Sequence, residues 1–374
     1  MPLSVAQLVE QITAAPTRVV LAISGGGSRA IADLLETPGA SRTLLEAIVP
    51  YGEAAAIDWL GGRPDHFCAP PTARAMALVA FRRARKLDRA AAPSLAGIAC
   101  TAGLVTDRPK LGPHHAHVAV QTASATATWS LNLQKERRTR AEEEQLVARM
   151  ILNALAAACG LQARLDLPLL EGEQVLRTQT VAPQSWQDLL LGAAEAVCRG
   201  PGDRPAAVLS GSFHPLHAAH RRMAELGEAI LGVPVAMELS IVNVDKPPLD
   251  YTEIDERLRQ FPAEQAVWLT RAATFEEKSQ LFPGAMFLVG IDTLRRIVAP
   301  DYYPGDPGRR QRVLEQLAER RCGFLVFGRA IGNVFVRLAD LDLPDVLREI
   351  CREVAPEQFR EDVSSTAIRK AEAW

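Results

Sequence analysis

A chain of 374 residues exceeds what one compact core usually organises and leaves room for two domains with a connection. With 48% apolar and 23% charged residues and a formal net charge of −2, it has a globular composition and no overall basicity to favour a nucleic-acid partner. Apolar runs stay short of membrane-spanning length, and the scattered cysteines form no CxxC pair or short secreted frame, so reduced thiols and a cytoplasmic location are expected.

The opening "MPLSVAQLVEQITAAP" lacks a basic start and carries Glu10, and reads as a surface helix rather than a secretory signal. "TRVVLAIS" (Thr17–Ser24) is a β-branched strand running into "GGGS", and "RAIADLLE" follows as a helix. "PTARAMALVAFRRARKLD" (Pro71–Asp88) is a longer amphipathic helix with proline at its start. "AGIACTAG" is a buried strand, "HAHVAVQTASATATWSLNL" two alternating strands, and "RAEEEQLVARMILNALAAACG" a long helix closed by Gly160. From Leu165 to about Asp203 the pattern loosens into a connector, with one helix in "SWQDLLLGAAEAVC" and a hinge-like "RGPGDRP".

Strands and helices then alternate again. Strands are expected at Ala206–Ser210, Val235–Val244, Ala266–Thr270, Met286–Gly290 and Gly323–Gly328, with helices at His217–Leu231, Thr252–Gln260, Asp292–Val298 and Arg309–Arg320. This predicts an α/β protein of two domains, the second a Rossmann-like parallel sheet: residues 1–163, a linker at 164–203 with one helix, and residues 204–374.

Three of the seven histidines crowd into "VLSGSFHPLHAAH" (Val208–His220), at the carboxyl end of a strand where ligands of such sheets bind. His217 and His220 share a helix face, but no nearby Cys, Asp or Glu completes a metal set, so no metal site is expected there. An anion explains more. Gly211 and Ser212 permit a tight turn, Pro215 fixes entry to the helix, and the first helical amides are unpaired donors.

"GSFHPLHAAH" resembles the GxFxPxHxGH signature of the nucleotidyltransferase superfamily, and "VSSTAIRK" (Val363–Lys370) resembles its second signature, about 150 residues later. The resemblance implies that catalytic His217 and His220 stabilise the α- and β-phosphates of ATP. It gives nucleotide contacts to Gly211, Ser212, Phe213, Ser364, Ser365, Thr366 and Arg369. Ala219 stands where the family usually has glycine. His214 falls at a variable position. Mg²⁺ is expected through the triphosphate rather than through a protein cage.

"FLVGIDTLRR" resembles a strand end of the nicotinamide and nicotinate mononucleotide adenylyltransferase branch, which adds Asp292 to the nucleotide contacts. Lys246 and Arg257, in "DKPPLDYTEIDERL", are cations suited to an acceptor phosphate, although a capped solvated helix accounts for Arg257 equally well. Trp268, Phe275, Tyr302 and Tyr303 are candidate stacking partners for a pyridine ring, against the commoner role of core aromatics.

"AISGGGSRAIADLLETPGASRTLLEAIVPYGEAA" resembles the C-terminal, amidase-type domain of competence/damage-inducible protein CinA, over roughly Leu8–Leu161. The resemblance implies a site of Ser24 as nucleophile with Tyr51, Thr101 and Arg140 (or neighbouring Arg138), and leaves room for a homo-oligomer. Ala56 replaces the motif lysine that would activate the serine, so the domain either keeps "SGGGS" as a phosphate-binding turn or uses another base, with His66 or the His114–His117 run as candidates. The two resemblances together imply adenylylation of a pyridine mononucleotide. Cytidylyl transfer, phosphopantetheine adenylyl transfer and a non-catalytic nucleotide sensor stay open.

Overall fold

The computed structural model describes residues 3–88, 94–107, 111–200, 202–303, 305–306, 308–331, 334–360 and 368. The chain divides into two units, Met1–Ala193 with Val244–Asp255, and Ala194–Asn243 with Glu256–Trp374. The boundary therefore falls later than residue 163, and the first unit is completed by a distant segment.

The first unit runs α1 (Val5–Ala14), β1 (Arg18–Ser24), α2 (Arg29–Glu36), β2 (Leu44–Ile48), α3 (Glu53–Leu60), α4 (Pro70–Leu87) and β3 (Leu95–Gly103). It continues through β4 (His114–Gln121), β5 (Ala125–Leu133), α5 (Arg140–Ala158), β6 (Val175–Val181) and α6 (Gln184–Leu191). Its sheet has the order β2-β1-β3-β4-β5-β6, parallel across β2, β1 and β3 and antiparallel beyond. Period-2 alternation divides the strand residues between two faces. Val19, Leu21, Ile98, Cys100 and Val118 pack with Leu8 and Ile12 of α1 and Ile151 of α5. Ala22, Ala99 and Ala119 meet Ala73, Met76 and Ala77 of α4 on the other side. There α4 rests directly on β3: a Cβ at Gly97 would stand 2.1 Å from the Ala77 carbonyl oxygen.

In the same unit Arg74 is buried between two carboxylates of the returning segment, with Nε 3.1 Å from Asp250 and Nη2 3.0 Å from Glu253. Burial pushes the Asp250 carboxyl upward, against the pull of the Arg74 charge.

The second unit contains β7 (Ala196–Arg199), β8 (Ala207–Ser210), α7 (Ala218–Leu231), β9 (Val235–Ser240), and the end of α8 (Tyr251–Leu258). After these come β10 (Val267–Thr270), α9 (Phe275–Leu281), β11 (Met286–Gly290), α10 (Ile291–Val298), α11 (Arg309–Glu319) and β12 (Gly323–Phe327). A hairpin of β13 (Arg329–Ile331) and β14 (Val334–Val336), then α12 (Asp345–Glu349) and β15 (Cys351–Glu353), complete it. The sheet order is β15-β12-β11-β8-β9-β10-β7, all parallel except β7. From β8 the chain builds outward through β9 and β10, then returns to the other side of β8 and builds outward through β11, β12 and β15. This is the doubly wound order, with its switch point between β8 and β11.

The stretch 164–203 corrects the linker expected there. It carries β6, paired with β5, and β7, paired with β10. The helix expected through Cys198 ends at Leu191, because Gly192 takes the left-handed conformation at φ 79° and caps it, and a strand begins at Ala196. Trp268 and Phe275, offered as ring clamps, lie edge-on to Phe282 and to Phe287 and Phe324 instead, packed against the apolar core.

Candidate functional site

In the first unit, β1 delivers Ser24 to the edge of a cavity of about 230 Å³ lined by Ser24, Tyr51, Glu53, Ala56, Phe67, Thr72 and Met76. Two of the expected residues, Ser24 and Tyr51, thus share one space. Ala56 lines it too, so the methyl group stands where a lysine was wanted. Strand register places Thr101 beside Ser24 on β3, and His117 beside Thr101 on β4. Thr101 is buried, and its hydroxyl has no hydrogen-bond partner among the described residues. Neither His66 nor the histidines of β4 are among the cavity's lining residues.

The "SGGGS" turn has a different role from the anion cradle considered for it. Gly25 has φ +81°, and a Cβ there would lie 1.9 Å from the Ala102 carbonyl oxygen, so only glycine fits. The donors at the head of α2 are taken by the chain's own carboxylate. Gly27 N–H donates to Glu144 at 2.8 Å, Ser28 Oγ at 2.8 Å and Arg29 N–H at 3.3 Å. Burial alone would raise the Glu144 carboxyl, but these donors together with Arg140 hold it below its usual range. Arg140 donates to the carbonyls of Val105 at 2.9 Å and Gly25 at 2.8 Å, fixing the turn from behind. Arg138 is committed elsewhere, to Glu173 at 2.6 Å.

In the second unit the turn after β8 is tightly braced. Phe213 is fully buried at φ +43°, a conformation that side-chain-bearing residues rarely adopt, and the His214–Pro215 peptide is cis. A Cβ at Gly211 would lie 2.7 Å from the Phe213 ring. Arg257 donates to Ser212 O at 3.0 Å, Gln260 Nε2 donates to Phe213 O at 3.0 Å, and Leu216 N–H donates to Gln260 Oε1 at 2.7 Å. Arg257 is buried, and this loop carbonyl is one of the groups it holds.

The brace presents the head of α7. His217 is its N-cap, and its ring stacks on His220 with centroids 3.8 Å apart. His217 N–H donates to His220 Nδ1 at 3.3 Å. Burial, and then the neighbouring His217, push the His220 imidazole down to about 4, so it is neutral at pH 7. Asp292 lies in the first turn of α10, at the carboxyl end of the adjacent β11, and pairs with Arg329. Gly211, Ser212, Phe213, His217 and His220 are therefore gathered after β8, with Asp292 following the next strand. Lys246 belongs to the segment grouped with the first unit. Ser364, Ser365, Thr366 and Arg369 lie outside the described residues. Sequence reading missed Gln260, whose side chain braces a loop far from it in the chain and carries no local signal.

The molecule is thus a two-unit α/β protein, one unit holding a serine-edged cavity and the other a doubly wound sheet with paired imidazoles at its switch point. No family model matches the chain, and no curated protein matches it. Among solved structures it is similar to a competence-damaged protein (CinA) superfamily protein from Escherichia coli, at 16% identity over 41% of this chain and 90% of that one, with a TM-score of 0.34. It is also similar to competence/damage inducible protein CihA from Agrobacterium tumefaciens, at 22% identity over 42% of this chain and 97% of that one, with a TM-score of 0.33. Among the described residues, no helix is long and apolar enough to cross a membrane.

Proposed function

We propose that the second unit is a nucleotidyltransferase that adenylylates a nicotinamide or nicotinate mononucleotide with ATP, in the cytoplasm. The observation that carries this reading is the stacked His217–His220 pair at the head of α7, at the switch point of a doubly wound sheet. A phosphate oxygen of the acceptor attacks the α-phosphorus. A new P–O–P linkage forms, the α–β bridge breaks, and pyrophosphate leaves. The chain's task is to hold two polyanions together and to donate to oxygens that gain charge.

The first turn of α7, with the positive end of its dipole, and the two imidazoles supply those donors. This donor set suits phosphate oxygens better than a hard cation, so Mg²⁺ would be held by the nucleotide and water, where it supplies charge neutralisation. The pyridine acceptor is supported by the two sequence resemblances taken together. In the first unit, Ala56 in the Ser24 cavity favours binding over serine-based amide hydrolysis.

The test is pyrophosphate release with ATP or CTP against nicotinamide mononucleotide, nicotinate mononucleotide and phosphopantetheine in turn. Release that needs ATP and a pyridine mononucleotide, and that His220→Ala lowers by orders of magnitude without loss of fold, is expected. Release with another pair would move the substrate assignment. Nucleotide binding without release from any pair would replace transfer by sensing.

A further inference from the structure

Strand β4 carries "HHAH", and its alternation sends the histidines to opposite faces. His114 turns toward α5, where Nδ1 lies 2.9 Å from the buried Glu143 carboxylate. His115 and His117 share the α4 side, their rings edge-to-face with centroids 5.0 Å apart. Cys68 reaches the same place from the turn just before α4. One ligand atom from each of Cys68, His115 and His117 lies within 4.8 Å of the other two.

We propose that Cys68, His115 and His117 bind a zinc ion with three protein ligands and a fourth position left for water or a substrate donor atom. Four observations support this. Thiolate and imidazole are the ligands that select zinc over magnesium or calcium. Ligands held at about 2.0–2.3 Å from a tetrahedral ion stand roughly 3.3–3.8 Å apart, so the three atoms close on an ion by small side-chain rotations.

His117 also has the support that zinc-binding imidazoles usually have. Its Nδ1 lies 2.9 Å from Ser130 Oγ; with the proton on that nitrogen, Nε2 keeps its lone pair for a metal. Finally, Thr101, in register with His117 on the same face, is buried with a hydroxyl that has no hydrogen-bond partner among the described residues. A metal-bound water beside it would supply one. Binding converts the Cys68 thiol to a thiolate and releases its proton to solvent. Phe67, next in sequence to Cys68, lines the cavity that holds Ser24, and Ser24, Thr101 and His117 are register neighbours across β1, β3 and β4.

The test uses the full chain, stripped with a chelator and titrated with zinc, with cobalt as a spectroscopic substitute. One equivalent of zinc per chain is expected, and the cobalt form should show a thiolate-to-metal charge-transfer band in the near ultraviolet. Cys68→Ser should lose the band and His115→Ala the stoichiometric zinc; both residues are only partly buried, and circular dichroism checks the fold. Ser130→Ala should weaken zinc binding by about 10- to 100-fold while retaining the band. Cys159→Ser, outside the cluster, should change neither. A stripped wild-type chain that takes up no zinc, or a Cys68→Ser chain that keeps both affinity and band, would overturn the assignment. This outcome is independent of nucleotidyl transfer, which is read by pyrophosphate release.

Discussion

Nucleotide binding at α7 should draw a proton from solvent. His220 sits near 4 in the free protein because its ring is buried and stacked on His217, against 6.5 for an ordinary imidazole. A bound triphosphate adds negative charge beside it and raises it again. The sign follows: the free ring stays neutral while pH falls from 7 to 5, the liganded ring gains a proton, and affinity rises. If the triphosphate restores the ordinary value, the gain between pH 7 and pH 5 is about 20-fold, or about 2 kcal/mol. The dissociation constant of a non-hydrolysable ATP analogue, measured by calorimetry at both pH values, reads this directly. Titration of the nucleotide itself is removed by measuring His220→Gln alongside, which should lack the 20-fold component. The same pH dependence in both proteins would refute the reasoning, because the proton would then belong to another group.

Arg138→Ala should destabilise the first unit by about 1–3 kcal/mol in urea unfolding, since it removes two charge-assisted hydrogen bonds from the Glu173 carboxylate, which keeps its two amide donors. Burial would raise Glu173, but Arg138 and the amides of Leu170 and Gln134 bring it down to about 2. Its contribution is therefore whole above pH 4.5 and lost as pH falls through about 2, and the acid limb of the wild-type stability profile should flatten in the variant. Gly97→Ala should cost about 1–3 kcal/mol or more by thermal unfolding, because its Cβ would meet Ala77 O at 2.1 Å and Phe81 N at 2.2 Å.

What could be read from the sequence was local. α5 announces itself by its length and closing glycine, β1, β8, β11 and β12 by short apolar runs, and "SGSFHPLHAAH" by a motif whose parts are neighbours in the chain. β6 hid because it is an edge strand: its residues are mostly exposed, so no hydrophobic alternation marks it. β7 hid inside an alanine-rich run that continues a helix by propensity, until the Gly192 turn ends it. The Cys68–His115–His117 cluster was illegible for a further reason. Its members come from a turn and from a strand far along the chain, and the packing of α4 on the sheet brings them together. The opposed fates of His114 and His115 follow from alternation, but which face holds the cavity depends on where α4 packs.

The first unit borrows Val244–Asp255 from deep within the second half of the chain. Its fold is therefore not encoded by one uninterrupted stretch of gene. A fragment ending at Ala193 would deprive Arg74 of Asp250 and Glu253, and would also remove Tyr251, whose hydroxyl donates to Ala123 O at 2.7 Å. A fragment starting at Ala194 would carry those carboxylates away from their guanidinium. Neither half is a module that recombination could trade freely, so for this chain inheritance as a single piece is written into a twelve-residue detour.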